Sequence, residues 1–396
     1  MTGIYRRLGR LLSGAPSSSP YPVTIEPEQA PAKGRVLLSY LEHPLVWPDD
    51  DVRLDGHSNV WESREVAQIF CRLGYTVDGV NLKDRHYEPD RPYDVLFDIS
   101  TNLQRLAPHL RGGAKKILHR TGSDPFYQNQ AECERVDALN RRRGGRYLPK
   151  RQIAHPELER ASIETADACS LIGNDHTLMT YPESLRPKFT LVTVSASRLD
   201  DVKAPDDFVP AQREFLWFFG SGAVHKGLDL LLEVFSRGRG LVLNIVGRLE
   251  SEPDFVALYR EELTGLDSIR YHGWLDPNSP AFRDIAARCF CFVAPTCSES
   301  ISTAVATCTQ LGLYPIVSRD TGVTLPDGCG VYLETCEIDE IEETVTASLR
   351  KDVADLRREI LECQSYALEA FSRHEFSRRM TEFLANAVDQ GRDEDA

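Results

Sequence analysis

Long apolar runs are missing from this 396-residue sequence. No stretch approaches the roughly 18 to 20 apolar residues that a membrane-crossing helix needs, and no apolar segment near Met1 reads as a secretory signal. Positive charge is also short. Against 60 Asp and Glu there are 46 Lys and Arg, leaving a formal net charge of −14. That balance excludes wholesale nucleic-acid binding, which depends on a basic footprint. It still allows an anionic small ligand, provided local cations or helix N-termini receive it. Paired cysteine spacing is missing too. Ten cysteines run from Cys71 to Cys363 without a CxxC pair, and no His or Cys cluster has zinc spacing. Reduced thiols in a cytosolic compartment are expected, since a chain this long needs no disulfide framework.

What remains is an ordinary globular composition, 41% hydrophobic and 27% charged, long enough for two domains. At the start, Ile4, Leu8, Leu11 and Leu12 recur at helical spacing with Arg6, Arg7 and Arg10 between them. Residues 1–12 read either as a basic amphipathic helix touching anionic lipid or as a frayed end. The whole of 1–34 is a basic, then Pro- and Ser-rich segment, with 13–34 a linker.

From residue 35 to 198, short apolar runs alternate with helical stretches. Val36–Tyr40, Tyr75–Val80, Asp94–Ile99, Lys116–His119, Ala168–Ile172 and Phe189–Val194 read as strands. Val60–Leu73 and Pro156–Ala166 read as helices. Residues 199–212 are acidic and Pro-punctuated, an interdomain linker. From 213 to 365 the alternation resumes, with Leu228, Leu231, Leu232 and Phe235 forming a helical stripe. Residues 366–396 read as a helix with an acidic tail. The pattern predicts two successive doubly wound parallel sheets, whose ligands sit at the carboxyl ends of strands.

Several strand ends there could carry chemistry. Gly220-Ser221-Gly222 leads through His225 to Lys226, between a strand and a helix. Small residues let backbone amides approach a phosphate, and Lys226 adds charge; a tight turn with a solvated lysine is the plainer alternative. The order GK[ST] of a Walker loop is absent, and His225 stands where a third dinucleotide-fingerprint glycine would be. In Pro295-Thr296-Cys297-Ser298-Glu299-Ser300-Ile301-Ser302-Thr303, Glu299 could hold sugar hydroxyls while the Ile301 and Ser302 amides hold phosphate. It could equally be an acid favoured by the helix dipole. His272-Gly273-Trp274 and Thr321-Gly322 are further strand ends. In the first unit, His119-Arg120 ends a strand, and His57 and Asn59 lie at a helix start. His119 is either a cleft histidine or a packing one. Asp49-Asp50-Asp51 reads as a solvated charge run.

Taken in order, Phe219-Gly220, Lys226-Gly227-Leu228, Ile245-Val246-Gly247, His272-Gly273-Trp274, Pro295 to Glu299 and Pro315 to Ser318 resemble glycosyltransferase family 4 over about 120 residues. The resemblance covers the family's donor-binding domain, and the first unit only by architecture. It implies a GT-B fold: two Rossmann-like domains facing a cleft, an acceptor domain first. It also implies a retaining, metal-independent transfer from a nucleotide-sugar, such as a UDP- or GDP-sugar, with no cofactor. A saccharide or lipid-linked acceptor is the implied partner.

By resemblance, Lys226 neutralises the donor diphosphate and Glu299 contacts the donor sugar. The stretch Ser300 to Thr303 offers amides, and His119 lies near the donor sugar. The chain departs from the family pattern at Ser221, where an arginine is usual, at Ser300, usually glycine, and at Thr307, usually a glutamate on the ribose. Arg120 and Arg319 are positional replacements for the missing cation. Two other readings stay open: a weak or inactive sugar-nucleotide-binding partner, and a GT-B sugar-nucleotide epimerase. A cytoplasmic protein, peripheral at the inner membrane face if residues 1–12 bind lipid, is the expected location.

Overall fold

The computed structural model describes residues 22–199, 202 and 214–389. The amphipathic reading of residues 1–12, most of the 199–212 linker and the acidic tail lie outside the described residues. Two α/β units account for the rest.

The first unit is a sheet in the order β1-β3-β2-β4-β5-β6-β7. Its strands are β1 (Val23–Ile25), β2 (Gly34–Tyr40), β3 (Tyr75–Asn81), β4 (Tyr93–Asp98), β5 (Leu110–Arg120), β6 (Ala168–Ile172) and β7 (Phe189–Val192). Six of them run parallel, with Val36 beside Val77 and Val95, and Ile117 beside Ala168. β1 pairs antiparallel with β3 at the edge. Part of the segment read as a linker therefore belongs to the sheet. Helices α1 (Ser58–Arg72), α2 (Asn102–Leu106), α3 (Pro125–Arg143), α4 (Pro156–Thr165) and α5 (Asp175–Met179) connect the strands.

The second unit has the order β10-β9-β8-β11-β12-β13, parallel throughout. Its strands are β8 (Glu214–Phe218), β9 (Val242–Val246), β10 (Ile269–Tyr271), β11 (Cys291–Ala294), β12 (Tyr314–Ser318) and β13 (Val331–Leu333). Around them pack α6 (Leu228–Phe235), α7 (Pro253–Leu258), α8 (Arg260–Gly265), α9 (Pro280–Arg288), α10 (Thr303–Gln310), α11 (Ile338–Ser348) and α12 (Val353–Ala370). The stripe of α6 is buried as its spacing requires, with Leu228, Leu231 and Leu232 fully inaccessible. Gly227 precedes that helix at φ +72°, and a Cβ there would lie 2.4 Å from the Pro295 carbonyl oxygen. Only glycine suits both the left-handed backbone and the close approach of the β11 loop.

α3 is a correction to the sequence reading, which left residues 121–155 as a polar stretch. Asp124 caps it, accepting from the amides of Phe126 and Tyr127, and Gly144 ends it at φ +67°. Few of its side chains are apolar because, apart from the buried Val136 and Leu139, it lies against polar groups of the second unit. The last helix, α13 (Arg373–Asp389), returns to the first unit. There Phe376 meets Trp61 edge-on at 5.7 Å, Ser377 Oγ bonds Glu65 and Arg373 pairs with Asp55 at 2.7 Å. The chain therefore crosses between units twice, once after β7 and once before α13. No helix among the described residues is long and apolar enough to cross a membrane.

Candidate active site

The carboxyl ends of β8, β9, β10, β11 and β12 lie along one edge of the second sheet and face the first unit. Lys226 and Glu299 meet there. The lysine ammonium pairs directly with the Glu299 carboxylate, and both are largely withdrawn from solvent. Burial first, and Arg151 next to it, depress the Lys226 pKa. Cys297 and Glu132 act in the opposite direction, and the paired Glu299 carboxylate supplies the counter-charge. Lys226 also lies over the Phe219 ring at 5.2 Å, and its carbonyl accepts from the Trp217 indole.

The loop before Lys226 is built differently from its sequence reading. The amides of Gly222 and Ala223 do not stand open to a phosphate. They donate to the buried Glu252 carboxylate, at 2.6 Å from Gly222 and 3.1 Å from Ala223. Tyr147 of the first unit donates its hydroxyl to the same carboxylate at 2.8 Å. Gly220 is open, with nothing within 4 Å of a Cβ placed there, and Ser221 is exposed beside it. His225 is a buried wall residue whose Nε2 donates to the Ser298 carbonyl at 2.6 Å.

The stretch after Glu299 also divides. Ser302 is buried and its amide donates to the Thr321 carbonyl at 2.9 Å, so it is already committed within the chain. The Ile301 side chain is buried, whereas Ser300 and Thr303 are half-exposed. Gly322, at φ +64°, lets the β12 loop press on this turn, since a Cβ there would lie 2.2 Å from the Ser300 carbonyl oxygen. Thr307 is buried in α10, so the helix presents no carboxylate at that position.

His119 is not brought to the cleft. It is fully buried in the first unit, with Nδ1 sharing a hydrogen bond with Ser170 Oγ at 2.8 Å. Its ring stacks on Phe97 and meets Tyr40 and Phe376. Burial, helped by the Arg120 charge, pulls its pKa down to about 3. Strand alternation explains the placement: β5 is buried on both faces near its end, so the residue at 119 packs instead of facing a ligand. Arg120 pairs with Glu159, and Arg319 pairs with Glu334 at 2.8 Å and covers the Tyr332 ring. Neither replaces the arginine missing at 221.

The first-unit residue that reaches Glu299 is Ser123. Its hydroxyl donates to the Glu299 carbonyl at 2.7 Å and accepts from Ser298 Oγ at 3.1 Å. Around it, α3 rests on the second unit. Tyr127 donates to Asp320 at 2.6 Å, Arg135 donates to the Pro295 carbonyl at 2.8 Å, and Arg142 pairs with Asp229 at 2.7 Å.

Gly273, at φ +72°, has free space beside it, and Arg248 lies over the Trp274 ring at 4.7 Å. Arg248 lies within electrostatic reach of His57 in the first unit. His57 caps α1 by accepting from the amide of Asn59, whose own side chain is half-buried with no hydrogen-bond partner among the described residues. Sequence reasoning missed Ser123, Arg248, Glu252 and the α3 wall. Arg248 had a signal, since it directly follows Gly247 at a strand end. Glu252 and Ser123 had none, because the groups they meet lie in distant parts of the chain. No group of three or more His, Cys, Asp or Glu among the described residues is arranged to hold a metal ion.

Two parallel-sheet Rossmann-like units, a ligand edge between them and a terminal helix crossing back invite comparison with known folds. A sucrose-phosphate synthase from Thermosynechococcus elongatus matches with a TM-score of 0.62 at 13% identity, over 89% of this chain and 98% of that one. The fold is GT-B. Anabaena HepE, in complex with UDP and glucose, matches at TM-score 0.54 and 10% identity, over 89% and 99% of the two chains. The catalytic domain of starch synthase IV from Arabidopsis thaliana, bound to ADP and acarbose, matches at 0.50 and 13%, over 86% and 78%. Residues 213–351 match the family model described as "Glycosyl transferases group 1", roughly a third of the chain. Comparison with curated protein sequences gives no match.

Proposed function

We propose that this protein is a glycosyltransferase that moves a sugar from a nucleotide-sugar to a saccharide or lipid-linked acceptor, with retention and without a metal ion. The observation that carries the reading is the Lys226–Glu299 pair, which lies at the ligand edge of the region matching the glycosyl transferase group 1 family. Lys226 would leave its pairing with Glu299 to meet the donor diphosphate, where negative charge grows as the sugar departs. Glu299, released from the lysine, would accept from hydroxyls of the donor sugar. Gly273 and Trp274 would border the base, and the exposed Gly220–Ser221 turn the phosphates. The first unit would hold the acceptor, and closure of the units would keep water from the donor.

A second reading, a sugar-nucleotide-binding partner with little turnover, is favoured by the loop chemistry. The amides of Gly222, Ala223 and Ser302 are bonded within the chain, and no imidazole enters the cleft from position 119. Incubation of the purified protein with UDP-, GDP- and ADP-sugars, scored by thermal shift and by release of nucleoside diphosphate, tests both. Transfer or donor hydrolysis is expected for at least one donor, and binding without either would favour the partner reading. Lys226→Ala is expected to weaken donor binding by roughly tenfold or more. Unchanged binding by that variant would remove Lys226 from the donor site.

A further inference from the structure

The residue usually supplying a second cation to the diphosphate site is a serine here, and neither Arg120 nor Arg319 takes over. We propose that Arg151, contributed by the first unit, is the second diphosphate-binding cation of the donor site. The proposal rests on the donor-site reading above and deepens it. Arg151 belongs to the strand of chain that returns from α3. That chain is fastened to the second unit just before Arg151: Tyr147 bonds Glu252 at 2.8 Å, and Lys150 pairs with Asp254 at 2.5 Å.

The backbone of Arg151 is held at both polar groups. Its amide donates to the buried Glu132 carboxylate at 2.7 Å, and its carbonyl accepts from Gln128 at 2.7 Å. Its side chain then runs over Gly222. A Cβ at Gly222 would lie 3.0 Å from Arg151 Cγ and 3.1 Å from Cδ. The second glycine of the loop thus accommodates an arginine stem, while its amide serves Glu252.

The guanidinium at the end of that stem has no hydrogen-bond or ion-pair partner among the described residues, and Arg151 is exposed. Its charge lies close enough to disfavour the ammonium of Lys226 and the protonated form of His225. Two cations that repel each other, of which only Lys226 has a carboxylate partner in Glu299, form a site completed by an anion. A guanidinium suits a diphosphate because its planar fork makes paired hydrogen bonds to phosphate oxygens. Since the stem comes from the first unit, this arrangement would also make donor affinity depend on the contact between the units.

The test uses the full chain and measures calorimetric binding of UDP, GDP and ADP, with the corresponding nucleosides as diphosphate-free probes. Arg151→Ala is expected to weaken binding of the preferred nucleoside diphosphate by roughly ten- to a hundredfold. Nucleoside binding should change by less than about twofold, and Arg151→Lys should keep part of the affinity. The thermal midpoint should hold, because the guanidinium carries no structural bond. If Arg151→Ala binds the diphosphate as tightly as the unaltered protein while Lys226→Ala loses it, the Arg151 proposal is wrong and the donor site stands. If the unaltered protein binds none of the three diphosphates, the donor-site reading falls, and the role of Arg151 falls with it.

Discussion

At the scale of single residues, some buried ionisable groups serve the junction between units rather than the cleft. Glu62 belongs to the junction. It is fully buried in α1 and accepts from both the amide and the hydroxyl of Ser195, each at 2.9 Å, where the chain leaves β7 for the second unit. Burial pushes its carboxyl up to about 7, against the bonds from Ser195 and the charge of Arg373. A raised carboxyl holds its proton in the folded chain after the unfolded chain has released it. The resulting stability is complete below the ordinary value of 4.5 and is lost as pH rises through about 7. The change across that window amounts to about 3 kcal/mol. Glu62→Gln keeps an acceptor for Ser195 and removes the titration. Urea unfolding from pH 4.5 to 8 should therefore show a flatter slope for the variant and greater stability than the unaltered protein at pH 8. Parallel profiles would show that Glu62 does not titrate there.

Among the elements, α3 has the largest consequence for function and the weakest apolar signature. Its inner side is polar because its partners are polar: Asp229, Glu233 and Glu262 of the second unit receive Arg142 and Arg143. Asp229 is fully buried, and burial raises its pKa despite Arg135 and Arg142 nearby. A buried carboxylate stripped of its partner costs more than a pair removed together. Arg142→Ala is expected to destabilise the protein by about 3 kcal/mol in urea unfolding, and Asp229→Asn added to it should recover part of the loss. Additive losses in the double variant would mean that the two side chains contribute separately. Val136 and Leu139 are the buried apolar anchors of the same helix.

For the whole molecule, the decisive feature is that each unit borrows from the other. The first unit sends α3 and Arg151 over the second unit's ligand edge, and α13 brings the chain's end back onto the first unit. Phe376, Met380, Phe383 and Leu384 of that helix are buried there. A chain ending at Ser372 leaves that apolar face uncovered. Such a truncation should bind a hydrophobic dye and lose the cooperative unfolding of the first unit, followed by circular dichroism. Dye binding and an unfolding transition equal to those of the full chain would show that the first unit is complete without α13. Where the chain leaves the first unit the Ser195 amide donates to Glu62, and where it returns Arg373 donates to the Leu54 carbonyl.

Much of the architecture was legible because periodicity is local. Alternating apolar runs and the Leu228 stripe report their own burial, and the ordered blocks from Gly220 to Ser318 marked a GT-B second unit. Lys226 and Glu299 stood out for the same reason, each lying at a strand end. What tertiary structure alone decided was which polar groups are left free. Whether Gly222, Ala223 and Ser302 offer amides depended on Glu252 and Thr321, and whether His119 faces a ligand depended on Phe97, Tyr40 and Ser170. The missing cation could not be found along the second unit at all. Arg151, proposed above for that role, belongs to the first, because a guanidinium's neighbours are set by how two units meet and not by its place in the chain.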